Sequence, residues 1–123
     1  MAGPFEPREV THIPKPWGYE LIFGKTDRYV GKILHVNAGE SLSLQYHRVK
    51  EETLYLIAGK VRLRLSDGTD DRVAVMEVGD CYHIPPGLVH QIEALEAADI
   101  VEVSTPELED VVRLQDRYGR ASS

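Results

Sequence analysis

The chain has 123 residues, 42% of them apolar and 28% charged, which bounds it to one soluble globular domain and excludes a disordered chain. Its formal charge of −6 disfavours nucleic acid and acidic membranes as general partners. Cys81 is the only cysteine, so no internal disulfide forms and a reducing compartment fits.

Residues 1–16 are rich in Pro and Gly (Gly3, Pro4, Pro7, Pro14, Pro16) and predict an extended arm over 1–14, lying along a sheet edge or a partner subunit. The start of the chain carries neither a basic stretch nor an apolar one, so no signal peptide is expected. No apolar run reaches the roughly 20 residues of a membrane span, and the expected location is the cytoplasm. From Trp17 the pattern is β. Tyr19–Phe23 ends at Gly24, and Tyr29–Val36 ends at the turn Asn37-Ala38-Gly39. Leu42–His47 alternates strictly. Residues 53–57 and 61–65 predict two strands, with Ala58-Gly59-Lys60 as a hairpin turn between them. Val73–Val78 follows, then Cys81–Ile84 running into Pro85-Pro86-Gly87, which cannot continue a ladder. Val89–Leu95 and Ile100–Val103 complete the strands. Glu107–Tyr118 predicts at most a short helix or a mobile tail. Short strands at this spacing predict an all-β, antiparallel sandwich or barrel over residues 15–120.

Two segments carry chemistry: Gly39-x5-Gln45-x-His47-x4-Glu52-x6-Gly59 and Gly79-x5-Pro85-x-Gly87-x2-His90. On a strand, residues two apart share a face, so Gln45 and His47 project together. Glu52 returns from the next strand, and His90 follows the Pro-Pro-Gly corner. Two imidazoles, a carboxylate and an amide form a mixed N/O donor set without thiolate. Such a set suits Zn²⁺, Mn²⁺, Ni²⁺, Co²⁺ or Fe²⁺, with Zn²⁺ and Mn²⁺ leading. His12, His35 and His83 are expected to be hydrogen-bonded, half-buried residues, and Cys81 a small buried hydrophobe.

The two segments resemble the two motifs of the cupin superfamily, G-x5-H-x-H-x3,4-E-x6-G and G-x5-P-x-G-x2-H-x3-N. Gln45 replaces the first His, and Ala94 stands at the final Asn. Within cupins the chain resembles the type II mannose-6-phosphate isomerase group, which also forms the C-terminal part of bifunctional mannose-1-phosphate guanylyltransferases. The stretches Lys15–Glu20, Ser41–His47, Tyr82–His90, Ile100–Pro106 and Asp110–Arg120 carry that resemblance. It implies a cupin β-barrel (a double-stranded β-helix or jelly roll) with an N-terminal arm and a short C-terminal tail. It also implies a metal held by Gln45, His47, Glu52 and His90, and aldose–ketose isomerisation of a sugar phosphate.

For that reaction Glu52 is the candidate base and His90 a weaker one. Lys32, Arg62 and Arg113 are candidates to bind the phosphate, with Lys50 and Arg117 also available. Lys50 is expected to be a solvated surface charge. Tyr55 and Tyr82 are candidates to bind sugar hydroxyls. A homodimer is expected, since exposed sheet edges invite pairing. The competing classes are an Fe²⁺ dioxygenase, which Gln45 argues against, and a non-catalytic sugar- or metal-binding module.

Overall fold

The computed structural model describes residues 3–120, which form nine strands and no helix among the described residues. They are β1 (Thr11–Lys15), β2 (Gly18–Lys25), β3 (Val30–Val36), β4 (Leu44–Tyr46), β5 (Glu52–Ser66), β6 (Asp71–Met76), β7 (Cys81–Ile84), β8 (Val89–Ser104) and β9 (Val112–Gln115). Every pairing is antiparallel.

The long strands β5 and β8 pair from Glu52↔Ser104 to Ser66↔Val89 and form the spine of the fold. The second half of β8 pairs with β3, which continues to β2 and β1. Its first half pairs with β4, which continues to β9. In the same way β7 borders the first half of β5 and β6 borders the second. The sheet is therefore curled, and β5 and β8 pass from one wall to the other through an irregularity between Leu56 and Val61.

Gly59 makes that bend. Its φ is +83°, and a Cβ there would stand 2.1 Å from the Ala97 carbonyl oxygen, so only glycine fits. The expected hairpin at Ala58-Gly59-Lys60 is thus a bend inside one continuous strand. The two segments expected at 89–95 and 100–103 are likewise one strand, β8.

Alternation sets the core. Leu54, Leu56, Val61 and Leu63 of β5 face Ile92, Ala94, Ala98 and Ile100 of β8, and Trp17, Leu34, Val36, Met76 and Ile84 complete the cluster. The tail departs from expectation. Residues 112–115 form β9, drawn into β strand by pairing with β4 rather than by a local pattern. The arm is a strand from Thr11, zipped onto β2. Cys81 is exposed, not buried, because on β7 it faces outward while Ile84 faces the core. Among the described residues no helix is long and apolar enough to cross a membrane.

Candidate metal centre

His47 leaves the end of β4, Glu52 opens β5 and His90 lies near the start of β8. All three are buried, and one ligand atom from each lies within 4.8 Å of the others. Glu52 Oε1 stands 3.2 Å from His47 Nε2 and 3.1 Å from His90 Nε2. Two donors each about 2.1 Å from one ion, at tetrahedral or octahedral angles, stand roughly 3.0–3.4 Å apart. The observed spacing matches the edge of a coordination polyhedron.

The imidazoles are held in the tautomer a metal requires. His47 Nδ1–H donates to the Asp110 carbonyl at 2.6 Å, and His90 Nδ1–H donates to the Leu88 carbonyl at 2.9 Å. A carbonyl only accepts, so each ring carries a proton on Nδ1, and Nε2, the atom that would ligate a metal, is turned toward Glu52. Two ring nitrogens and a carboxylate oxygen converging on one point form a donor set that a cation, or protons on Nε2, would satisfy. Glu52 Oε2 accepts no close hydrogen bond and has the Lys50 ammonium 3.4 Å away, so Oε1 is the oxygen left to the imidazoles. The residues present therefore fit a divalent cation.

Gln45 pairs directly with His90 across β4 and β8 and so shares its face. Its Oε1 accepts a hydrogen bond from Ser43 Oγ at 2.6 Å. The β4–β5 turn that carries His47 and Glu52 is clamped twice. Gly87 N–H donates to the His47 carbonyl at 2.7 Å. The Asp110 carboxylate accepts the backbone N–H groups of Arg48, Val49 and Lys50 at 3.0, 2.7 and 2.8 Å. Those donors, Lys50 and Val49 foremost, hold the Asp110 carboxyl at about 2.

Behind the cluster runs a buried row of charges on β2, β3, β5, β8 and the turn. Lys50 Nζ lies 3.1 Å from Glu102 Oε2 and 3.4 Å from Glu52 Oε2. Lys32 Nζ lies 3.6 Å from Glu102 and 3.4 Å from Glu20. Burial by itself pushes the Lys50 ammonium down, but Glu102 and Glu52 outweigh it and the net direction is up. Burial pushes Glu102 up, aided by the charge of Glu52. Burial opposes the Glu52 carboxylate too, yet His47, His90 and Lys50 hold it well below the usual carboxylate range. Lys50 is thus the reverse of the solvated charge expected, because Glu102, far off in sequence, folds over it.

A cavity of about 330 Å³ opens beside the cluster. Gln45, His47, Lys50 and Glu102 line it, whereas Glu52 and His90 lie behind that wall. Five cationic side chains (Lys15, Lys32, Lys50, Arg113, Arg120) and three carboxylates (Glu20, Glu102, Glu109) line it, so cations outnumber carboxylates in its wall; Lys32 and Lys50 are paired with Glu20 and Glu102, and Arg120 with Asp116. Arg113 sits opposite Gln45 on β9, and its Nε is buried without a partner.

The other sequence candidates are placed elsewhere. Tyr55 is exposed on the outer face of β5. Arg62 is exposed and bonded to Glu93 at 2.8 Å. Tyr82 packs on the hydrophobic core. Arg117 donates to the Gly39 carbonyl at 2.6 Å. Of the remaining histidines, His35 is half-buried against Asp99, His83 is exposed beside Glu51, and His12 is exposed over Tyr19. Sequence reasoning missed Glu102 and Asp110, and named Lys50 only to assign it to the surface. The alternation Ile100-x-Glu102-x-Ser104 held a signal for one of them, since it turns a glutamate toward an apolar interior.

Residues 32–104 match the family described as "Cupin domain". The chain is a cupin. Among curated proteins this cupin is 32% identical over 123 residues to the mannose-1-phosphate guanylyltransferase of Escherichia coli (strain K12), covering 96% of the chain and 25% of that protein. It is 33% identical over 113 residues to the mannose-1-phosphate guanylyltransferase ManC of Salmonella typhimurium (strain LT2), covering 88% of the chain and 23% of the relative. The cupin spans about a quarter of the length of these curated relatives. Among solved structures, the capsular polysaccharide assembling protein CapF of Staphylococcus aureus superposes with a TM-score of 0.69 at 24% identity, over 87% of this chain and 34% of that one. Oxalate decarboxylase of Bacillus subtilis superposes with a TM-score of 0.75 at 19% identity, over 89% and 31%. At these identities the two structures share the fold.

Proposed function

We propose that this cupin is a metal-dependent sugar-phosphate isomerase of the mannose-6-phosphate isomerase type, exchanging an aldose and a ketose. The observation that carries the reading is the junction of the His47–Glu52–His90 cluster with a cation-rich cavity walled by the Glu102–Lys50 pair. The relationship to proteins named for mannose 1-phosphate supports the substrate class.

Aldose–ketose exchange moves a proton between adjacent carbons, C1 and C2. His47, Glu52 and His90, with Gln45 beside them, would hold a divalent cation, whose chemistry there would be Lewis-acid polarisation of the carbonyl. Both ring nitrogens of His90 are engaged, and the Glu52 carboxylate is turned toward the imidazoles, so we assign both to holding the metal. Proton transfer falls to Glu102, the carboxylate that faces the cavity, with Lys50 Nζ 3.1 Å away to hydrogen-bond it. Arg113, flanked in the wall by Arg120, meets the phosphate, and its unpartnered Nε supplies a donor. Burial of this machinery keeps bulk water from the transferred proton. The same reading carries action in the cytoplasm and a homodimer, which the free edges of β1 and β6 favour.

The test is metal analysis of the purified chain, loaded in turn with Zn²⁺, Mn²⁺, Co²⁺ and Ni²⁺, followed by interconversion assays on mannose 6-phosphate and fructose 6-phosphate. Turnover that falls by at least about 10²-fold in Glu102→Gln supports the proposal. A stoichiometric metal with no turnover of either sugar by any loaded form defeats it.

A further inference from the structure

A second cavity, of about 490 Å³, adjoins the first and shares Ile13, Ile22 and Leu108 with it as a common wall. Both border the face of the β1–β2 hairpin that carries Ile13 and Ile22, next to the loop before β9. The second is larger than the first and contains no part of the metal cluster.

Its chemistry differs. Phe23 and Tyr29 stand in its wall with 47% and 56% of their surface exposed. Large aromatics left open to solvent inside a concavity are a cost unless a ligand covers them. Both are pre-set. The Phe23 ring lies over Gly31, where a Cβ would come within 2.8 Å of its Cε1 and Cζ, so the glycine provides the seat for the ring. A register shift between Ile22 and Gly24 lets β2 bulge at this point. Thr26 Oγ1 accepts the backbone N–H groups of Arg28 and Tyr29, fixing the turn that carries Tyr29. Arg8 and Lys25 add hydrogen-bond donors at the same cavity.

Aromatic faces ringed by polar and charged side chains are the chemistry that recognises a pyranose. The C–H face of the sugar lies on the ring, and its hydroxyls meet the polar rim. We infer that this cupin also accepts a sugar ligand of more than one ring, the first ring beside the metal cluster, as for the single-sugar substrate, and the second on Phe23 and Tyr29. This rests on the reading of the first cavity as a sugar site. Arg8 and Lys25 against the single carboxylate of Glu9 suit a neutral or acidic second ring.

Trp17, the only tryptophan, lines the first cavity and reports on its occupancy by fluorescence. The experiment titrates the full, metal-loaded chain with mannose, mannose 6-phosphate, and the α1→2, α1→3 and α1→6 mannobioses, followed by Trp17 emission and calorimetry. At least one mannobiose is expected to bind about tenfold more tightly than mannose. Phe23→Ala, and separately Tyr29→Leu, should abolish that gain and leave the mannose constant unchanged. The proposal is overturned if every mannobiose binds within about twofold of mannose, or if both variants weaken mono- and disaccharide alike. Binding of guanosine monophosphate with the same Phe23 dependence would place a nucleoside in the second cavity and also overturn it. If neither mannose nor mannose 6-phosphate binds, the sugar reading of the first cavity fails as well. If they bind and the disaccharides gain nothing, only the second ring is lost.

Discussion

Replacing Asp110 with alanine removes the carboxylate that accepts the backbone N–H groups of Arg48, Val49 and Lys50. The first two of these bonds are exposed, so their donors can turn to water, and the third is partly buried. At a net value near 1 kcal/mol each, the clamp contributes about 2–3 kcal/mol. The turn it holds also positions His47 and Glu52. The Asp110 carbonyl that orients His47 survives in the variant but loses its anchorage. Loss of an outer hydrogen-bonding partner at a metal site costs about 10–100-fold in affinity.

Asp110→Ala should therefore lower the free energy of unfolding by about 2–3 kcal/mol and weaken metal binding at least about tenfold. Urea titration of the apoprotein and chelator competition measure the two effects separately. Asp110→Asn, which keeps one acceptor oxygen, should fall between the variant and the parent. The folded-state value near 2 lies below the ordinary aspartate value, so protons favour the unfolded chain. The contribution of the clamp is complete above about pH 4 and fades as the pH falls toward 2. A variant within about 0.5 kcal/mol of the parent, with unchanged metal affinity, would refute the reasoning.

His47→Ala and His90→Ala should each abolish stoichiometric metal binding, measured by elemental analysis after gel filtration; retention of one equivalent by either variant counts against the ligand set. Lys50→Met leaves Glu52 and Glu102 buried without their shared cation and should cost about 3–5 kcal/mol by urea denaturation, while Lys50→Arg should recover part of that loss. Gly59→Ala forces a Cβ to 2.1 Å from the Ala97 carbonyl oxygen at a φ of +83°, so a loss of more than about 2 kcal/mol is expected, against little change for Gly68→Ala beyond its own backbone strain.

That Gln45, His47, Glu52 and His90 come together was legible because most of the signal is local. Gln45 and His47 are two apart on a strand, and Glu52 follows one short turn, so spacing alone places them on one face. The strands of the core were legible for the same reason, through the alternation of Leu54-x-Leu56 and Val61-x-Leu63. What escaped depends on partners remote in sequence. Lys50 reads as a surface residue until Glu102 is brought over it by the β5–β8 pairing. The Val112–Gln115 segment has no clean period and becomes a strand because β4 offers it a free edge. Gly59 signals a change of direction in any reading. Whether that change reverses the chain or only bends it was decided by the backbone of Ala97 beneath it.

Strand β8 borders β3, β4 and β5, and it carries both His90 and Glu102. Neither the donor set nor the wall beside it exists until this strand has docked on both sides. The ligand cluster is therefore assembled by contacts of high sequence separation, which form late and slowly in β proteins. Metal should then join after the rate-limiting step: refolding should proceed at the same speed with and without it, and the bound ion should act by slowing unfolding. A cation held at this cluster would be a latch on a finished fold, not a nucleus for making one.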